Sequence, residues 1–119
     1  MTQRKTNPAF LNGVPEMLIL QLLSRRAMYG YELVQAIRSA THEGLEFGEG
    51  CVYPILHRLE AQHQLKAHQE TVGGRPRLVY QVTAKGKTQL AASRSSWQKV
   101  VESINHALQG GDRGHAALA

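Results

Sequence analysis

Apolar residues in the first half of the chain recur at helical spacing. The segment 17–23 is apolar nearly all round, which predicts a first helix that is buried on most sides. Pro15 and Glu16 suit the first turn of this helix, and two arginines within residues 24–27 favour its C-terminal end. A second helix is predicted over residues 29–40, with a packed stripe made of Gly30, Leu33, Val34 and Ile37.

A third helix is predicted to begin near residue 49 and to end within residues 62–64. One helical face is marked by apolar residues at the i, i+3, i+4, i+7 spacing, namely Val52, Ile55, Leu56 and Leu59. Pro54 falls in or just beyond the first turn, where proline costs least. Tyr53, Pro54, His57 and Arg58 are left on the other faces of this helix.

Two short strands, 66–72 and 78–82, are predicted to follow the third helix. Gly73 and Gly74 supply the backbone freedom that a turn between them needs. The strands therefore form a hairpin with the basic sequence GGRPR at its tip. A further, very short strand could lie at residues 45–47.

A long fourth helix is predicted to follow Thr83, its expected N-cap residue, and to end at Gly110 and Gly111. Apolar residues recur along it at alternating steps of four and three, with Arg94 at the missing position. This pattern is a heptad-like seam. We call the following residues the seam: Leu90, Trp97, Val101, Ile104 and Leu108.

The seam has two interpretations. It could pack on the first helix of its own domain, or against a second copy of the chain. A C-terminal helix with a narrow apolar stripe more often binds a partner, and twofold dimers are the commonest oligomer, so a dimer interface is expected. Trp97 would anchor that interface. Alternatively, Trp97 and Val101 could line a pocket for a flat apolar ligand.

These elements predict a mainly α fold with a small β-hairpin: a winged helix-turn-helix plus a long C-terminal dimerisation helix. With 119 residues, the chain is long enough for one modest core. The expected organisation is a flexible basic arm over 1–12, a winged helix-turn-helix DNA-binding domain over 13–83, a dimerisation helix over 84–110 and a flexible tail over 111–119.

The chain is basic, with 14 Lys and Arg against 9 Asp and Glu and a formal net charge of +5. Such an excess suggests a polyanionic partner, with nucleic acid ahead of a membrane surface, although a merely basic soluble protein would show it too. The single cysteine, Cys51, excludes an intrachain disulfide and fits a reducing compartment. Since no secretory signal or membrane-spanning run is found, a cytoplasmic protein without a membrane partner is expected.

The third helix and the hairpin together indicate a surface for double-stranded DNA. A helix of this size fits the major groove, and hairpin arginines can reach phosphates or the adjacent minor groove. The candidate DNA-binding residues are Tyr53, Pro54, His57, Arg58, Arg75 and Arg77. The alternatives are that Tyr53 caps the core and that Arg58 pairs with Glu60 or another acid.

Metal and enzyme chemistry is not expected. His57 and His63 would point roughly 120° apart on a continuous helix, so they do not converge on a metal ion. Cys51 and His57 do not share a helical face either. No close acid–base pair, nucleophile elbow or phosphate-cradling loop is found, so neither catalysis nor a cofactor is expected. The rival to DNA binding is a winged helix that has become a protein-interaction module.

Three segments, MLILQLLSRRAMYGYELVQAI, GCVYPILHRLE and GGRPRLVYQVTAKGKTQL, together with Trp97, resemble the PadR family of bacterial transcriptional regulators. The resemblance implies a homodimeric winged helix-turn-helix repressor. In such families, release from DNA is often triggered by a small aromatic or drug-like molecule. A twofold dimer is expected to bind a pseudo-palindromic operator. By position, the resemblance assigns Tyr53, Pro54 and His57 to the recognition helix and Arg75 and Arg77 to the wing. It places Trp97 at the dimer interface, near which some members bind ligand.

The chain departs from the family pattern around the third helix. Cys51 stands where the family usually has a small hydroxyl residue, which puts one helix-start or phosphate contact in doubt. His63 and Gln64 stand where the family usually has glycine and then an apolar residue. His63 must therefore adopt the helix-ending conformation itself, which histidine does less readily than glycine.

Overall fold

A computed structural model describes residues 11–118 of the chain, with side chains for residues 11–109. The described elements are α1 (Val14–Arg25), β1 (Met28–Tyr29), α2 (Gly30–Ala40), α3 (Glu49–Ala61), β2 (Leu65–Val72), β3 (Arg75–Val82) and α4 (Ala84–Leu118). The predicted mainly α fold with a β-hairpin is confirmed. None of the described helices is both long and apolar enough to cross a membrane.

The core lies between α1, α2, α3 and one face of the sheet. α2 and α3 each bury the apolar stripe expected from the helical spacing, whereas α1 is buried on most sides, as its sequence predicts. The largest fully buried side chains are Tyr80, Phe47, Ile19, Leu20, Leu33, Ile37, Leu56, Leu65 and Val52. Burial of each aliphatic side chain of this size contributes about 1.5–3 kcal/mol, which makes this cluster the main stabilising feature of the domain.

The sheet is antiparallel and has the strand order β1-β3-β2. β2 and β3 pair from Leu65 opposite Val82 to Val72 opposite Arg75. The turn between them consists of Gly73 and Gly74, with φ of 61° and 79°. Two consecutive positive φ values are those of the tight hairpin turn that glycine favours.

The strand predictions need two corrections. Residues 45–47 form no strand, and Phe47 is buried in the core instead. The third strand is β1, a two-residue segment that exists through its pairing with β3. β3 also begins at Arg75, because the two-residue glycine turn lets pairing start at once, so the hairpin arginines are strand residues.

α3 ends in a left-handed cap. His63 has a φ of 64°, and the N–H of Gln64 donates to the carbonyl of Leu59 at 2.9 Å. This geometry is that of a Schellman cap, in which glycine is the usual residue. The expectation that His63 adopts the helix-ending conformation is confirmed.

α4 begins where the sequence predicts and ends later. The N–H of Gly86 donates to Thr83 Oγ1 at 3.1 Å, which confirms Thr83 as the N-cap, and Thr83 Oγ1 donates to the carbonyl of His63 at 2.6 Å. The expected end at Gly110 and Gly111 is wrong, since α4 continues to Leu118. Glycine permits a helix-ending conformation without imposing it, and costs only about 1 kcal/mol in a helix interior.

The expected tail over 111–119 is therefore helical as far as Leu118. Most of the expected basic arm over 1–12 lies outside the described residues, and Leu11 and Asn12 form a turn before α1. The division between a DNA-binding domain over 13–83 and a dimerisation helix over 84–110 stays a prediction.

Candidate nucleic-acid interface

α3 exposes its outer face beside the hairpin. Pro54 and His57 are exposed on the side of α3 opposite the buried stripe. Pro54 lies just beyond the first turn, and its ring removes a helical hydrogen bond to the carbonyl of Gly50, which is also exposed. Since the large aliphatic side chains of α3 lie in the buried stripe, the outer face carries none of them and is open to a partner.

Tyr53 lies on the edge of this face and is half-buried. Its ring is 6.5 Å from that of His57 between centroids, and it packs against the backbone of Gly30, the first residue of α2. A Cβ at position 30 would lie 2.4 Å from the Tyr53 ring, so only glycine allows this approach. Burial raises the pKa of the Tyr53 hydroxyl; Glu49 and Tyr29 act in the same direction, and Arg77 lowers it. The hydroxyl stays protonated at neutral pH and can donate a hydrogen bond.

Arg58 lies on the opposite edge of α3 and forms an ion pair with Glu16 of α1. Its partner is thus another acid than Glu60. The pair is solvent-exposed, with side-chain exposures of 46% and 30%, so its contribution to stability is small. A contact of Arg58 with DNA stays a prediction, and it would compete with this ion pair.

The two arginines of β3 lie in different environments. Arg75 is exposed, and no side-chain hydrogen bond or ion pair joins it to any described residue. Arg77 is half-buried, with its guanidinium carbon 4.8 Å from the centre of the Tyr29 ring. Of the two arginines, Arg75 is therefore the one that is free to meet an anionic partner.

The sequence reasoning missed two tyrosines that flank Gly30. Tyr29 lies beneath Arg77, and Tyr31, 49% exposed, lies in the first turn of α2. The motif YGY at a predicted helix start was the available signal. Tyr29 meets Arg77 only because β1 pairs with β3, and the sequence motif alone does not predict that pairing.

The seam divides into two parts. Leu90 is 7% exposed and packs in the core of its own domain, so it offers little surface to a partner. Beyond it, large apolar side chains are exposed along one side of α4. We call these residues the α4 stripe: Trp97, Val100, Ile104 and Leu108.

A groove of about 560 Å³ runs between the start of α1 and α4. Its apolar lining includes Leu11, Val14, Met17, Trp97, Val100 and Ile104. Val101 is half-buried and does not line this groove. Of the two candidate ligand-binding residues, Trp97 is therefore the one that faces a space of ligand size.

The described residues bring no three His, Cys, Asp or Glu side chains together as a metal site would require. Cys51, near the start of α3, is half-buried. Burial raises the pKa of its thiol, and the negative charge of Glu16 adds to this effect. The thiol is protonated at neutral pH.

Helices α2 and α3, followed by the hairpin of β2 and β3, define a winged helix-turn-helix, with α3 at the position of the recognition helix in this fold and the hairpin at that of the wing. This class of fold is used by proteins that act on DNA. The chain belongs to the PadR-like family of transcriptional regulators, which it matches over residues 19–92. The resemblance seen in the sequence is confirmed.

Similar proteins agree with this assignment. Rv3488, a transcriptional regulator of Mycobacterium tuberculosis, is 30% identical over 95 residues, which cover 80% of this chain and 86% of that protein. A solved PadR family transcription regulator from Clostridium difficile has a TM-score of 0.70 at 29% identity, covering 81% of this chain and 99% of that one. A transcriptional regulator from Clostridium thermocellum has a TM-score of 0.75 at 27% identity, covering 82% and 95%.

Proposed function

We propose that this chain is a homodimeric, sequence-specific DNA-binding repressor that acts in the cytoplasm. The observation that carries the proposal is the exposed outer face of α3 beside the free guanidinium of Arg75. Two α3 helices would enter successive major grooves of a pseudo-palindromic operator, about one helical turn (roughly 34 Å) apart. The wings would add phosphate contacts, and occupancy of the operator would block transcription.

Homodimerisation is supported by the α4 stripe. Four large apolar side chains on one helix are exposed in the single chain, with Ile104 at 52% and Leu108 at 72%. Contiguous apolar surface of this kind marks a protein interface more often than it stays in water. The continuation of α4 to Leu118 extends this helix well beyond the domain that Leu90 anchors.

The first experiment measures affinity for the upstream region of the chain's own gene as a function of salt. Because each neutralised phosphate releases counterions, the log of affinity is expected to fall with log salt at about −0.9 per phosphate contact. A steep linear decline would support the proposal. A chain that retards no duplex at low salt would contradict it and favour a protein-interaction module.

Two substitutions separate phosphate contact from base readout. Arg75→Ala is expected to weaken binding to every duplex and to make the salt slope shallower, since the exposed guanidinium is removed. His57→Ala is expected to change the preference among sequences more than the overall affinity. Equal behaviour of the two variants would show that α3 does not read sequence.

Release by a small apolar ligand is the second part of the proposal, and the groove beside Trp97 supports it. Trp97 is the single tryptophan of the chain and lines this groove, so tryptophan fluorescence reports on the surroundings of this one residue. A planar hydrophobic compound is expected to quench it and to lower operator affinity in parallel. Quenching without any change in affinity would contradict a role in induction.

A further inference from the structure

Arg75 and Arg77 are two residues apart in β3 and lie on the same face of the sheet, yet they are held differently. Arg75 is exposed. Arg77 lies over the Tyr29 ring at 4.8 Å, and its Nε atom is buried without a hydrogen-bond partner. The planar guanidinium of Arg77 is thus stacked on the Tyr29 ring with its Nε–H away from water, and this stacking fixes its orientation.

The sheet register explains why Arg77 meets Tyr29. Tyr29 of β1 is paired with Val79 of β3, so Tyr29 and Arg77 are diagonal neighbours on one face. Glu70 stands directly opposite Arg77 on β2, but its carboxylate bonds to His68 Nε2 at 2.5 Å. No ion pair with a described acid therefore draws Arg77 away from the ring.

Tyr29 connects this stack to the recognition helix. It precedes α2, and its backbone N–H donates to the Glu32 carboxylate at 3.2 Å. The next residue, Gly30, lies against the Tyr53 ring of α3. Arg77 is close enough to Tyr53 for its charge to act on the pKa of the Tyr53 hydroxyl, which it lowers against the larger effect of burial.

We propose that Arg77 is a positioning residue, which holds the wing to the start of α2 and thereby to α3, and that Arg75 alone supplies the phosphate contact of the pair. The inference rests on the proposed DNA binding and divides labour within it. Arg77 acts through Tyr29, so its planar shape matters to operator affinity as well as its charge.

Charge-conserving substitutions distinguish the two roles, because lysine keeps the charge of arginine but not its stacking plane. Arg75→Lys is expected to keep operator affinity within about twofold, since a point charge satisfies a phosphate. Arg77→Lys is expected to lower affinity about three- to tenfold with an unchanged salt slope. Arg75→Ala, by contrast, is expected to make the slope shallower by about 1.8, which is about 0.9 for each of the two wings of the dimer.

Substitutions of Tyr29, on whose ring Arg77 stacks, provide a second test. Tyr29→Leu is expected to lower operator affinity as much as Arg77→Lys does. The double variant is expected to bind the operator as tightly as the weaker-binding of the two single variants, because both substitutions remove the same stacking contact. Tyr29→Phe keeps the ring and is the matched control, with affinity expected to match the unmodified chain. Thermal melts check that each variant is folded.

A readout without DNA keeps the inference separate from the proposed function. In an NMR spectrum of the free protein, the Nε–H of Arg77 is expected to exchange slowly with water and that of Arg75 rapidly. Slow exchange is expected to be lost in Tyr29→Leu and kept in Tyr29→Phe. Rapid exchange at Arg77, or full operator affinity in Arg77→Lys, would overturn this inference alone. Failure of the unmodified chain to bind any duplex would overturn the proposed function.

Discussion

At the residue scale, the carboxylate of Glu16 affects two side chains of α3. Cys51 and Arg58 share one neighbour, Glu16 of α1. That carboxylate binds the Arg58 guanidinium and, after burial, is the second cause that raises the pKa of the Cys51 thiol. A residue on α1 therefore adds to the raised pKa of one side chain on α3 and holds another in an ion pair.

The Cys51 thiol is expected to react slowly with iodoacetamide at neutral pH. The thiolate is the nucleophile, and a raised pKa means that less of it is present at any pH below that value. The pH midpoint of alkylation should lie above that of the urea-unfolded chain. Glu16→Gln should lower the midpoint, and a folded chain that alkylates faster than the unfolded one would contradict the assignment.

His63 is expected to be a site of backbone strain. A φ of 64° costs an L-residue about 1–2 kcal/mol, and glycine avoids this cost. Part of the gain is lost, because glycine also makes the unfolded chain more flexible and so stabilises the unfolded state. His63→Gly should therefore raise the free energy of unfolding by about 0.5–1 kcal/mol in urea titrations. Gln62→Gly, at a φ of −89°, is the control and should lower it. Equal losses in both variants would rule out strain at His63.

At the element scale, the start of α4 is held against the end of α3. Thr83 bridges the two, since it caps α4 and donates to the carbonyl of His63. Gly86, in the first turn of α4, lies against the loop that precedes β2. This contact fixes the direction in which the long helix leaves the domain.

Gly86→Ala is expected to destabilise the chain by about 2–3 kcal/mol. Its Cβ would lie 2.2 Å from the Gln64 carbonyl oxygen and 2.9 Å from a Val82 methyl group, and the backbone oxygen cannot rotate away. Gly50→Ala in α3 is the control. Its Cβ meets nothing within 4 Å, so the free energy of unfolding should rise by about 1 kcal/mol or less. Urea unfolding distinguishes the two, and a stable Gly86→Ala would show that α4 is not docked there.

Most elements were predictable, because burial leaves a trace in the sequence: α2 and α3 bury one face each, and α1 is apolar nearly all round. The bounds of α1, α2 and α3 follow their apolar stripes, and the glycine turn defines the wing. β1 was not predictable, since a two-residue strand has no period and forms only against β3. Nor was the continuation of α4 past Gly110, because glycine tolerates both outcomes.

At the scale of the whole molecule, α4 carries the expected assembly. Ile104→Glu is expected to convert a dimer into a monomer in light scattering, because a charge placed in a buried apolar interface costs about 2–4 kcal/mol. Operator affinity should fall with it, since two half-sites must be held together. Lys99→Glu, an exposed change on the polar side of α4, is the control and should leave the dimer intact. A dimeric Ile104→Glu protein would place the interface elsewhere.

The sequence by itself determined the winged-helix class and the family, because periodicity, glycine placement and motif spacing are local properties of a chain. The tertiary structure decided which cations are free. Arg58 is paired with Glu16, 42 residues away, and Arg77 is stacked on Tyr29, while Arg75 has no such partner among the described residues. Partners this distant in sequence meet only after the core has closed and the strand register is fixed. Hence no inspection of the basic hairpin alone could separate its two arginines.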